Sequence, residues 1–136
     1  MGKKSKQQIE KYLQKEIAKA KGLGIELYDI HPEVRISNSK STFGTCKKIT
    51  KEGTTTCYIS ISSFTRGFKK KEIKAILMHE VLHATVGSKG HDNLWRKGCT
   101  LVKGKYFYDK YEKYHLNEHP YSKKRAKLAK YSGLYR

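Results

Sequence analysis

Residues 79–83 read His-Glu-Val-Leu-His. Histidines four apart stand one turn apart on the same face of a helix, where both imidazoles can grip one zinc ion. A glutamate directly after the first histidine sits beside that face and can take a proton from water on the metal. Zinc brings the pKa of such a water towards neutrality, so a hydroxide becomes available to attack a carbonyl. The residue types and spacing therefore point to hydrolysis of a peptide-like carbonyl, with His79 and His83 as metal ligands and Glu80 as general base.

A catalytic zinc needs a third protein ligand and an open fourth position. His91 is the leading candidate: seven residues, with glycines at 87 and 90, separate it from His83 and can turn the chain back to the metal. Asp92, Glu112 and Glu118 are the alternatives, and a downstream Glu would give a ligand set of two His and one Glu. The metzincin pattern fails, because it wants Gly three residues after the second His and Val86 stands there. Tyr106, Tyr108 and Tyr111 follow closely, with nothing to choose among them as oxyanion stabilisers.

The elements that must position these residues are legible in outline. Ile9, Leu13, Ile17 and Ala20 recur at helical spacing and predict a helix over 5–21, ended by Gly22 and Gly24. Residues 25–62 change period and predict short strands forming a small antiparallel sheet, with a turn near Lys51-Glu52-Gly53. A second helix is expected over 69–86, packed through an apolar stripe of Ile73, Leu77, Val81 and Ala84 that is offset from the histidines. A third, over 91–103, is expected to bury Leu94, Trp95, Leu101 and Val102. Beyond it Tyr106, Phe107, Tyr108, Tyr111, Tyr114, Tyr121, Tyr131 and Tyr135 alternate with basic residues, and 123–130 could form a short basic helix.

Length and composition bound the rest. At 136 residues the chain suits one domain. Thirty Lys and Arg against 12 Asp and Glu give a formal charge of +18, a field that attracts polyanions. Tyrosines interleaved with basic residues suit single strands or exposed bases of DNA. Cys46, Cys57 and Cys99 are odd in number and form no Cys-x-x-Cys, which argues against a disulfide framework and against a cysteine-only zinc site. Cys46 and Cys57 could face each other across a hairpin, but free thiols are the simpler expectation. No apolar run reaches the length of a membrane span and no signal-peptide segment is apparent, so a cytoplasmic location without membrane contact is expected.

From about Val34 to Val102 the chain resembles the SprT-like metallopeptidases, the family of bacterial SprT and eukaryotic Spartan. The resemblance rests on Ile36-Ser37-Asn38, on Phe43-Gly44, and on Tyr58-Ile59-Ser60-Ile61-Ser62. It continues through Ile76-Leu77-Met78-His79-Glu80-Val81-Leu82-His83-Ala84 and ends at Gly90-His91 with Trp95. His91, Asp92 and Trp95 also fit the ending of the related Wss-type family. The resemblance implies an α+β zincin-like fold: an N-terminal helix, a small antiparallel sheet, the motif helix and a following helix. It implies zinc on His79, His83 and His91, and hydrolysis of protein substrates, in Spartan-type members of proteins on DNA. Two features depart from it. Asp92 stands where the family often has Gly, and no cysteine follows Cys99 to build the C-terminal zinc ribbon of many members. His115 and His119 are accordingly expected to be solvated or packed.

The expected organisation is a SprT-like metallopeptidase domain over 1–105 and a basic, Tyr- and Lys-rich tail over 106–136. The expected function is a zinc metallopeptidase acting on DNA-associated proteins. The alternatives are a nucleic-acid-binding protein with a structural zinc, and a metallopeptidase with no nucleic-acid role.

Overall fold

Helix α1 spans Lys6–Gly22, within a residue of its expected position. It begins at a capping box: Ser5 Oγ accepts the Gln8 N–H, and Gln8 Oε1 accepts the Ser5 N–H, both at 3.1 Å. Its apolar stripe of Ile9, Leu13, Ile17 and Ala20 is buried, and Gly24, at φ 83°, turns the chain away after Leu23. The structure is a computed structural model that describes residues 3–39 and 42–102. The boundary expected at 105/106, the tail tyrosines and the basic segment 123–130 all lie outside the described residues.

Three strands follow: β1 (Asp29–Ser37), β2 (Gly44–Lys51) and β3 (Thr54–Ser62). The β2–β3 hairpin closes through Glu52 and Gly53, at φ 51° and 80°. A two-residue hairpin turn of this hand requires positive φ at both positions, which is why a glycine sits there. The strand order is β1-β3-β2, with β1 parallel to β3 and β2 antiparallel to it. The sheet is therefore mixed, which corrects the expected antiparallel sheet. The central strand is the one with the strongest inward apolar row, since Cys57, Ile59 and Ile61 are each 1% exposed or less. β1 carries Pro32, which cannot donate to a ladder, and its register with β3 shifts between Ile30 and Val34, so it suits an edge.

After a 3-10 turn at Ser63–Gly67, helix α2 spans Lys70–His83. Glu72 accepts the Lys69 N–H at 2.8 Å at its start. The helix ends three residues before the expected limit, because Thr85 leaves the helical path to bridge Leu27. It is also buried nearly all round, rather than along the single stripe expected: Ala75, Ile76, Met78 and Leu82 are buried as well as Ile73, Leu77 and Val81. α1 packs against α2 and β1, and α2 against β2 and β3, so both helices lie on one side of the sheet. A 3.7 Å ion pair between Lys74 and the buried Glu16 joins the two helices, and Glu10 accepts the Val34 N–H at 2.9 Å.

Helix α3 occupies residues 93–102. Trp95, Cys99 and Val102 share its buried face, whereas Leu94 and Leu101 are 43% and 45% exposed, against the expectation that they pack. Residues 95, 99 and 102 fall at i, i+4 and i+7 on one stripe, and 94 and 101 lie on the neighbouring one. Gly98 allows close approach to α2, since a Cβ there would meet Leu82 Cδ2 at 2.9 Å.

Leu77, fully buried in the middle of α2, tests the packing. Leu77→Ala is expected to lower unfolding stability by about 2–5 kcal/mol in urea titration. A loss below about 1 kcal/mol would show that α2 is not held as described.

Candidate metal centre

His79 and His83 face the same side of the last turns of α2, as their spacing requires. His91 reaches them from the connection to α3. The three Nε2 atoms form a triangle with sides of 3.3 Å (His79–His83), 3.2 Å (His83–His91) and 3.1 Å (His79–His91). Each Nε2 of a neutral imidazole is either a donor or an acceptor. Among three such atoms at least two share a role, so no choice of tautomers satisfies all three contacts. A cation at the centre satisfies all three lone pairs at once. Tetrahedral zinc with nitrogens at about 2.0–2.1 Å would set them about 3.3 Å apart, which the triangle matches closely. These three residues can hold a metal ion.

Several contacts bring His91 back. Tyr28 donates its N–H to Ala84 O and Val86 donates to Glu26 O, both at 2.9 Å, which ties the chain leaving α2 to the segment before β1. Gly87 and Gly90, at φ 85° and 74°, take the left-handed backbone that turns it. Asp92 then closes the loop. Its Oδ2 accepts the Lys89 N–H at 2.6 Å, and its Oδ1 accepts Ser88 Oγ at 3.0 Å and the Trp95 N–H at 3.1 Å. The backbone donors from Lys89 and Trp95 hold its carboxyl below the usual range. Asp92 is thus the N-cap of α3 and not a ligand, and α3 starts at 93 rather than 91. The other alternative ligands, Glu112 and Glu118, lie outside the described residues, as do His115, His119, Tyr106, Tyr108 and Tyr111.

Trp95 forms the wall behind the histidines. Its ring stacks on His83 with centroids 5.6 Å apart and meets His79 and His91 edge-on at 4.9 and 4.6 Å. Its indole N–H donates to the His79 carbonyl at 3.1 Å, which locks α3 to the motif helix.

Glu80 Oε2 lies 3.9 Å from His79 Nε2. Burial pushes the Glu80 carboxyl up to about 8, because a low-dielectric site disfavours its charge. Glu80 and His83 line an open cleft of about 430 Å³, together with Gly44, Thr45, Cys46 and Lys48 of β2 and with Gly90. Gly44 is required by closeness: a Cβ there would meet Ser60 O at 2.9 Å and Glu80 Cγ at 3.3 Å. Lys48 donates to Ser88 O at 2.7 Å, joining the strand to the loop that carries His91. Cys46, Cys57 and Cys99 are free thiols, as expected. Cys46 stands opposite Ile59 and Cys57 opposite Lys48, so the first two are offset rather than directly opposed. A hydrogen bond with Cys57, and then burial, pushes the Cys46 thiol up.

The sequence reading missed the parts played by Asp92, Lys48 and Gly44. An Asp directly before the apolar-periodic residues of a helix is an N-cap signal that could have identified Asp92. Lys48 and Gly44 carry no local signal, because their partners are distant in the chain. Comparison with models of known protein families, with curated proteins and with solved structures gives no match to this chain.

Two variants test how the loop and the wall support the metal. Asp92→Ala is expected to cost about 1 kcal/mol of stability from the lost cap, measured by thermal unfolding. Trp95→Phe keeps the aromatic wall and loses the bond to the His79 carbonyl. It is expected to weaken metal affinity about tenfold in chelator competition, and unchanged affinity would remove Trp95 from a supporting role.

Proposed function

We propose that this chain is a zinc-dependent metallopeptidase of the SprT-like kind, with a zincin-like fold, acting on proteins associated with DNA. The observation that carries the reading is the convergence of the His79, His83 and His91 Nε2 atoms beside a buried glutamate at an open cleft. Among the described residues no fourth His, Cys, Asp or Glu joins the three histidines. That supports a catalytic site with an open position over a closed structural one. Zinc held by these nitrogens would supply a Lewis acid for a carbonyl oxygen and acidify water towards neutral pH.

The protein's own groups supply the rest. In this reading Glu80 accepts a proton from the attacking water at its carboxylate and returns it to the departing amine. Burial favours the protonated carboxyl, and a cation held by the neighbouring histidines would pull the other way. β2 is an edge strand that lines the cleft, and an extended peptide can add to such an edge through main-chain hydrogen bonds. Cleavage of an extended segment fits this geometry. The charge of +18 supports an anionic partner such as DNA near the substrate.

Glu80→Gln removes the base and preserves shape. Its hydrolysis of an unstructured protein substrate is expected to fall by about 10²–10⁴-fold, while one zinc per chain is retained in elemental analysis. Cleavage by the variant at the wild-type rate, or a wild type that takes up no zinc, would sink the reading.

A further inference from the structure

The sheet has a second face that the metal centre does not use. Side chains alternate along each strand, so Val34, Cys57, Ile59 and Ile61 are buried against the helices while Arg35, Lys47 and Tyr58 are exposed. Lys47 stands directly opposite Tyr58 across β2 and β3, and Arg35 stands opposite Ser60 across β1 and β3. Tyr58, at the centre, is therefore flanked by a cation on each neighbouring strand. It is 40% exposed, more than a packed tyrosine would be.

The His31 ring stacks on Tyr58 with centroids 5.2 Å apart and planes 24° from parallel. His31 Nδ1 accepts the Glu33 N–H at 3.2 Å, which fixes the ring and leaves Nε2 as the protonated nitrogen of the neutral form. These residues and Lys6 line a groove of about 610 Å³. Lys6 is paired with Glu33 at 3.4 Å and Glu10 at 3.9 Å. Neither Arg35 nor Lys47 pairs with a carboxylate among the described residues.

We propose that this outer sheet face binds single-stranded DNA, with bases stacking at Tyr58 and His31 and phosphates pairing with Arg35 and Lys47. Pre-stacked rings between unpaired cations match the alternation of flat bases and charges along a single strand. A duplex hides its base faces and cannot use the rings. An acidic peptide would use the cations and leave the rings idle. Of the hydroxyls on this side, those of Thr45 and Ser60 are bonded to each other, and the choice of DNA over RNA rests on the function proposed above. The proposal deepens the DNA-associated part of the function proposed above and does not depend on hydrolysis.

The test is fluorescence polarisation of a short labelled oligodeoxythymidine with the full chain. Tyr58→Ala is expected to weaken binding about tenfold, and Tyr58→Phe to retain it. Arg35→Gln combined with Lys47→Gln is expected to weaken binding and to lower the slope of log affinity against log salt by about 1.4. Thermal unfolding checks that the variants are folded, and metal content with cleavage of a DNA-free protein substrate is read in the same samples. Weakened binding with cleavage and zinc retained supports the proposal. So does Tyr58-dependent binding in a protein that cleaves nothing, an outcome that would count against the peptidase reading alone. Wild-type affinity in both Tyr58→Ala and the double variant would overturn the proposal and leave the peptidase reading standing. Equal or tighter binding of a duplex, or of RNA of matching sequence, would overturn the assignment to single-stranded DNA.

Discussion

Three imidazole nitrogens 3.1–3.3 Å apart do not assemble by themselves. Their lone pairs converge, and at least one of the three contacts is repulsive in any neutral tautomeric arrangement. The surrounding chain must therefore hold them together before a metal can reward the geometry. α2 does this for His79 and His83 through helical spacing alone. His91 has no such help and depends on non-local contacts: the bridge from Thr85 to Leu27, the two left-handed glycines, the Asp92 clasp and the bond from Trp95 to the His79 carbonyl. Most of the structure after residue 83 can be understood as a means of returning one histidine to the helix it left.

The same requirement explains why α2 is buried nearly all round. A helix on the surface would let water compete for the histidines and would keep Glu80 at an ordinary carboxylate pKa. Packing against α1, β2 and β3 removes that water. The cost is a carboxyl and an imidazole, each 7% exposed, in a largely apolar setting. A cation held between the histidines would offset that cost, because it would favour the charged carboxylate and engage the nitrogens. Gly44 belongs to the same arrangement, since only a residue without a side chain lets β2 lie this close to Glu80.

What the sequence disclosed follows from how local each interaction is. The helix of residues 6–22, the turn at Glu52-Gly53 and the shared face of His79 and His83 all depend on neighbours within a few positions, and all were legible. The pairing of β1 with β3 was not, because parallel pairing joins strands separated by the whole of β2 and nothing in either segment names its partner. Asp92 was weighed as a ligand because carboxylates bind metals. Its actual role depends on donors from Ser88, Lys89 and Trp95 that only the folded loop presents. Leu94 and Leu101 were expected to pack because they are apolar, but the helix turned Trp95, Cys99 and Val102 inward instead.

Alternation along the strands gives the sheet two different tasks. Residues at one parity complete the core against which α2 is pressed, so their identities are constrained by packing. Those at the other parity face away and are free to carry charge and exposed rings without disturbing the histidines. β2 serves both sides: Gly44 and Lys48 line the metal-centre cleft, while Lys47 stands beside Tyr58 on the opposite face. Lys47 is thus kept on the far side of the sheet, and the lysines of α2 itself, Lys70, Lys71 and Lys74, sit in its first two turns rather than beside His79 and His83. Like charges near the three histidines would oppose a metal ion, and the sheet, one strand thick, separates Lys47 from them. Lys48 is the exception on the inner side, and its ammonium is engaged by the Ser88 carbonyl, where it fastens the loop that carries His91.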